Sequence, residues 1–325
     1  MSAHLTPTDL DRPIAAYLAH QRALGRGYHK EEYVLTALRN FLAEQGANDL
    51  TPALFQAWCD TLASLHANTR RGRQLIVQRF CRYRHRMAPD CFVPDSWYVA
   101  RAQPYVRPII VAPEQMARAL AAADVLAPTP SSPLRPAVMR LAIVLLYTAG
   151  LRRGELLRLT LEDVDAAAGI LRIRSTKFHK SRWVPLSPSA RRELRHYLHQ
   201  RCSRPLATHS TAPLLCHTAE GRRGYTGTGI TQNLQALFTA AQIHDAEGRR
   251  PRIHDLRHGF AVQALLRWYQ AGADVHVELP KLALYMGHVN IASTAAYLCW
   301  HPTVAGLASQ RFEKEFGDLL REVHP

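Results

Sequence analysis

From Ala137 to Tyr147 the chain reads AVMRLAIVLLY, a stretch almost wholly apolar and interrupted only by Arg140. A helix that is apolar around most of its circumference has to be enclosed by its neighbours. The chain must therefore build a core around this segment. Gly150 ends the helix, and Leu151-Arg152-Arg153-Gly154-Glu155-Leu156-Leu157-Arg158-Leu159 follows at once. A helix stop followed directly by a helix start puts Arg152 where first-turn N–H groups also point outward, a ready seat for an anion.

The rest of the chain arranges itself on either side of that segment. Residues 1 to about 100 read as helices only, over Pro13–Leu24, Lys30–Glu44, Pro52–Leu65 and Asn68–Met87, separated at Gly25, Gly27, Gly46 and Pro89. Pro94, Pro104, Pro108 and Pro113 mark a linker over about 94–113. The expected division is an all-α N-terminal domain, 1–103, and a C-terminal domain, 104–325. In the second domain Pro113-Glu114 opens a helix running to Val125, and further helices are expected over Ala190–Arg201 and Ile230–Ala241. Gly169–Arg174 and Arg182–Leu186 have the pattern of a β-hairpin with Lys177 and Lys180 at its tip. The expected fold class is mainly α with a small antiparallel sheet.

The charge is the next constraint. Forty-one Lys and Arg face 26 Asp and Glu, a formal net charge of +15. Five of the cations are lysines and 36 are arginines. The guanidinium is a planar fork that matches phosphate oxygens, so this surplus fits a polyanion, although GC-rich coding also favours arginine. The fourth helix carries Arg70, Arg71, Arg73, Arg79, Arg82, Arg84 and Arg86 with no acid among them. Such a run suits either a solvated face or a helix that tracks phosphates. The six cysteines form no C-x-x-C pair, so neither a zinc site nor a disulfide framework is expected. The start of the chain, with Asp9 and Asp11, lacks a signal-peptide core, and no run of about 18 apolar residues occurs. A cytosolic protein without a membrane span is the expectation.

Chemistry gathers between Arg252 and His301. His254 and Arg257, at i and i+3 of an expected helix, share one face, while Leu256 and Phe260 suit a core. Pro280 reads as the first residue of the next helix and Gly287 as its stop, which leaves His288 just past a helix end. Tyr297 follows nine residues later, on a segment that Asn290 or Ser293 could cap.

The ordered set His254-x-x-Arg257, Gly287-His288 and Tyr297 resembles the C-terminal signature of the tyrosine recombinase (phage integrase) family. Thr148-Ala149-Gly150-Leu151-Arg152-x-x-Glu155-Leu156 resembles the first arginine box of that family. The motifs span Val111 to Pro302; in the N-terminal half only the general layout of helices matches. Two departures are visible: Leu298-Cys299-Trp300 follows the tyrosine where Thr-His is usual, and Thr176 stands where a glycine usually precedes the hairpin lysine.

The resemblance implies a set of roles at a DNA phosphodiester. Arg152 and Arg257 would grip the non-bridging oxygens, with Glu155 buttressing the arginine box. His254 would help move the tyrosine proton or hydrogen-bond the phosphate, and His288 would be a second donor. Lys177, with Lys180 as the alternative, would protonate the departing 5′ oxygen. Tyr297 would attack and leave a 3′-phosphotyrosine. DNA contacts are expected from Arg70, Arg71, Arg73, Arg79, Lys180 and Arg252. No metal, cofactor or ATP is implied. The implied partners are double-stranded recombination sites and, through an amphipathic helix over 304–323, further copies or relatives in a tetramer. The setting is the nucleoid, with the transposon-borne members the nearer match. Two other readings share the pattern: a non-catalytic DNA-binding protein on the same fold, and a type IB topoisomerase-like relaxing enzyme.

Overall fold

The computed structural model describes residues 10–104, 106–174, 181–288 and 290, together with Thr294, Gly306, Ser309, Gln310 and Glu313. The chain divides into two compact units, residues 1–106 and 107–325.

The first unit is helical. Its elements are α1 (Asp11–Ala23), α2 (His29–Glu44), α3 (Pro52–Thr61) and α4 (Ala67–His85). On α2 the buried residues Val34, Leu35, Leu38 and Leu42 recur at helical spacing. They meet Phe55 and Trp58 of α3 and Ile76, Val77 and Phe80 of α4 in one core. The Thr51 hydroxyl accepts the Leu54 N–H at the start of α3, and Pro52 occupies the first turn, where its missing N–H costs nothing. The segment after α4 is strapped back to it by polar side chains. The Gln78 amide donates to the Pro94 carbonyl (2.8 Å), and the Ala100 N–H donates to Gln74 Oε1 (2.9 Å).

The second unit is built on α6 (Arg135–Thr148), which contains the apolar run Ala137–Tyr147. Val138, Met139 and Leu141 to Leu146 are buried in it. Packed against it are α5 (Pro113–Asp124), α8 (Pro188–Cys202), α9 (Gly227–Ala240) and α10 (Ile253–Gln270), with α7 (Arg153–Arg158) following α6 in the chain and α11 (Val275–Met286) packing on α10. Arg140, the one charge inside the apolar run, leaves the core to pair with Glu193 of α8 (2.7 and 2.8 Å) and Asp124 at the end of α5 (2.7 Å). Burying an arginine head without such partners would be prohibitive.

The sheet is antiparallel, with strands in chain order: β1 (Val164–Asp165), β2 (Ile170–Ile173) and β3 (Arg182–Pro185). The register pairs Leu171 with Val184 and Arg172 with Trp183. Leu171, Ile173 and Val184 face the core. Arg172 and Trp183 face outward with the guanidinium carbon 5.8 Å from the ring centre. The hairpin expected from the sequence is β2–β3; the two-residue β1 is too short to have shown a period.

One expected boundary is wrong. Pro280 does not begin a helix: α11 starts five residues earlier, where the Asp274 carboxylate accepts the His276 N–H (2.8 Å). The buried stripe Val275, Leu279, Leu282, Ala283 and Met286 runs straight through Pro280, which is exposed. Burial of that stripe outweighs the single backbone hydrogen bond that proline removes. Among the described residues no helix is long and apolar enough to cross a membrane.

Candidate active site

Gly150 is where the site begins. Its φ of +58° lies in the left-handed region, and a Cβ placed there would stand 2.5 Å from the Phe260 ring. Only glycine permits both the turn and the approach of α10. The turn delivers Arg152 to the start of α7 and leaves the Gly150 carbonyl facing inward. Arg257 of α10 donates to that carbonyl from Nη1 (2.6 Å) and to the Met286 carbonyl from Nη2 (2.6 Å). Arg152 donates from Nη2 to the Gly287 carbonyl (2.8 Å) and from Nη1 to Glu155 Oε1 (2.7 Å). Two arginines distant in the chain are thus anchored on the same C-terminal end of α11, where the helix dipole favours cations.

Glu155 is the hub of this arrangement. Its carboxylate, 1 % exposed, also accepts the Arg152 N–H (2.9 Å) and both terminal nitrogens of Arg182 (3.0 and 2.9 Å). Arg257 Nη1 stands 4.0 Å away. Burial alone would raise the Glu155 pKa. The hydrogen bonds from Arg182 and the Arg152 N–H overcome that, and hold it down at about 2. Glu155 takes the Arg152 N–H, so one donor at the start of α7 is already occupied. The side chain of Arg152, 31 % exposed, is the part that faces solvent, whereas Arg257 is 1 % exposed.

Three histidines border the arginines. His288 follows the left-handed Gly287 (φ +66°), and its Nδ1 lies 2.6 Å from the hydroxyl of the fully buried Thr294. Burial, then the charges of Arg257 and Arg152, push His288 down to about 4. His254, in the first turn of α10, is lowered by crowding and by Arg257. His258, one turn on, meets His254 edge to face at 4.6 Å and is pushed down to about 4 by burial and by that neighbour. All three rings are therefore neutral near pH 7, able to pass a proton or donate a hydrogen bond beside fixed positive charge.

The structure brings Arg152, Glu155, His254, Arg257 and His288 together. Lys177, Lys180 and Tyr297 lie outside the described residues, as does the expected C-terminal helix over 304–323 apart from Gly306, Ser309, Gln310 and Glu313. Arg252 is exposed at the start of α10, where it pairs with Asp255 (2.9 Å). The arginines of α4 divide. Arg71 donates to the Ala100 carbonyl (2.7 Å), and Arg79 reaches the Leu75 carbonyl of its own helix (3.2 Å). Arg73 lies 5.5 Å over the Tyr33 ring, and Arg70 is half-buried. Arg84, part of the acid-free run, is clasped by Asp49 from outside its helix.

Arg182 is the residue that sequence reasoning passed over. A signal was present: in a strand of period two, Arg182 shares a face with Val184, so an arginine there points inward and needs a partner. It bonds Glu155 twice and donates from Nε to the Tyr285 carbonyl (2.7 Å).

Comparison with known proteins places this geometry. Residues 111–301 match the model of the phage integrase family. A Sinorhizobium fredii protein, y4rB (strain NBRC 101917 / NGR234), which carries the provisional name integrase/recombinase, is 33% identical over 307 residues, 94% of this chain and 97% of its own. The tyrosine recombinase XerC of Mycobacterium bovis (strain BCG / Pasteur 1173P2) is 30% identical over 301 residues, 90% of this chain and 93% of its own. Among solved structures, the Tn1549 transposon integrase in complex with a circular intermediate DNA has a TM-score of 0.61 at 17% identity, covering 90% of this chain and 95% of that one. That likeness speaks for the fold alone. The family model covers more than half of the chain and the relatives align along nearly all of it, so the chain belongs to the phage integrase family, that of the tyrosine recombinases.

Proposed function

We propose that this chain is a site-specific DNA recombinase that cuts and rejoins strands through a 3′-phosphotyrosine on Tyr297, in the integration or transposition of a mobile element. The observation that carries the reading is the convergence of Arg152, Arg257 and His288 on the end of one helix, around a buried carboxylate, with His254 beside the arginines. A cluster of fixed guanidinium groups suits the negative charge that builds on non-bridging oxygens when a phosphodiester is attacked. Arg152 is open to a phosphate as it stands, and the buried Arg257 adds its fixed charge from behind it.

In this reaction the Tyr297 oxygen attacks phosphorus and its proton passes to His254. The bond from phosphorus to the 5′ oxygen breaks, and Lys177 supplies the proton that the 5′ oxygen takes. His288 donates a hydrogen bond to the phosphoryl group. The enzyme ester retains the energy of the broken link, so attack by the 5′ hydroxyl of another strand reseals it without ATP. The first unit adds phosphate contacts from Arg70, Arg73 and Arg79, with Arg71 shared with the Ala100 carbonyl. Lys180 and Arg252 contribute from the second. Four copies joined through residues 304–323 act on two DNA sites.

The test uses a duplex that the protein itself selects from a randomised pool, nicked near its centre so that the cut strand escapes. A covalent protein–DNA adduct is expected with the native chain and none with Tyr297→Phe. An adduct that survives in the Phe variant ends the assignment.

A further inference from the structure

Three guanidinium groups, those of Arg152, Arg182 and Arg257, surround one carboxylate. Glu155 and Arg182 are nearly closed to solvent, with side chains 1 % and 10 % exposed. Their two parallel hydrogen bonds make a bidentate pair, the geometry in which a guanidinium most fully satisfies a carboxylate. Arg152 touches the same carboxylate with a single side-chain nitrogen, and its other terminal nitrogen goes to a main-chain carbonyl.

From this asymmetry we propose that Arg182 is a positioning residue for Arg152. By matching the charge of Glu155, it lets that carboxylate orient Arg152 without consuming the positive charge Arg152 presents to a DNA phosphate. Remove Arg182, and the nearest full counter-ion for the buried carboxylate is Arg152 itself, which is drawn into a closed pair and away from DNA. Arg182 also ties three elements together. It stands at the start of β3, bonds Glu155 of α7, and holds the Tyr285 carbonyl of α11. Gly287 leaves it the necessary space, because a Cβ there would lie 2.9 Å from Arg182 Nη1. The arginine box and the end of α11 that bears His288 are thus set by one buried side chain on the strand that leads back from the lysine hairpin.

The inference rests on the proposed DNA-cleaving function for its rate readout, so the test adds a readout that does not. Full-length native protein, Arg182→Met, Arg182→Lys, Glu155→Gln and the Arg182→Met/Glu155→Gln double variant are compared on the selected duplex, each first shown to be folded by its thermal transition. Arg182→Met is expected to slow adduct formation at least 100-fold. It is also expected to flatten the plot of log affinity against log salt by about 0.9, the loss of one phosphate contact, the same change expected of an Arg152→Ala control. The double variant is expected to recover at least tenfold in rate over Arg182→Met, because the unmatched carboxylate is gone, and to regain the salt slope. Arg182→Lys, which keeps the charge without the fork, should fall between native protein and Arg182→Met. A purely structural role would make the double variant as slow as or slower than Arg182→Met, and that result overturns the proposal, as does an Arg182→Met variant within threefold of native. If the native protein forms no adduct, the cleavage reading fails, while the salt slopes still decide whether Arg182 governs Arg152.

Discussion

Arg257 is 1 % exposed and bonded to two carbonyls at 2.6 Å, so a single orientation is open to its guanidinium. Lysine keeps the charge but not the planar fork, and reaches one of the two carbonyls at most. Arg257→Lys should leave a buried carbonyl unpaired, at about 1–3 kcal/mol in chemical denaturation, and lower single-turnover cleavage by roughly 10²–10³-fold. A variant within threefold of native in rate would remove Arg257 from the reaction. At this scale the sequence shows which residues matter and hides how they are held. The order of Arg152, His254, Arg257 and His288 is visible along the chain. The burial of Arg257 beside a half-buried Arg152 is not, because it depends on carbonyls of Gly150 and Met286 that come together only in the fold. Arg182 was harder still, since its partner Glu155 has no fixed spacing to it.

Elements were legible where a periodic stripe is long, as in α2, or an apolar run is long, as in α6, and misread where a local signal competed with burial, as at Pro280. The joints between elements carry the least sequence signal and much of the geometry. Gly150 joins α6 to α7 at a φ of +58°, directly against Phe260 of α10, whose ring in turn stacks on Tyr285 of α11 (5.4 Å). Gly150→Ala therefore adds left-handed strain of about 1–2 kcal/mol to a forced shift of the aromatic pair, together about 2–4 kcal/mol. The expected outcome is a lower denaturant midpoint at unchanged slope, with slower adduct formation because the Gly150 carbonyl no longer meets Arg257. A substitution that left the midpoint in place would show that this joint tolerates a Cβ and that glycine there serves no structural end.

For the molecule as a whole, the +15 charge fits a polyanionic partner, and the same field shapes how the protein responds to acid. His258 and His288, both held at about 4 in the second unit, stay neutral in the folded chain while the unfolded chain takes up protons near 6.5. Stability is therefore unaffected above pH 6.5 and declines as pH falls from 6.5 toward 4, by about 1 kcal/mol at pH 5.5 for the buried His258. Glu155 acts in a lower window: its contribution is complete above pH 4.5 and is lost as pH falls toward 2. The thermal midpoint of the full chain should fall between pH 7 and 5, and His258→Asn should reduce that fall. Saturating DNA should reduce it as well, since a phosphate at the guanidinium cluster offsets the positive field that, together with burial, keeps His288 neutral. A midpoint of the DNA-free protein that held steady or rose on acidification would mean that these imidazoles are not held neutral by the fold, and the proton-accepting role proposed for His254 beside them would lose its physical basis.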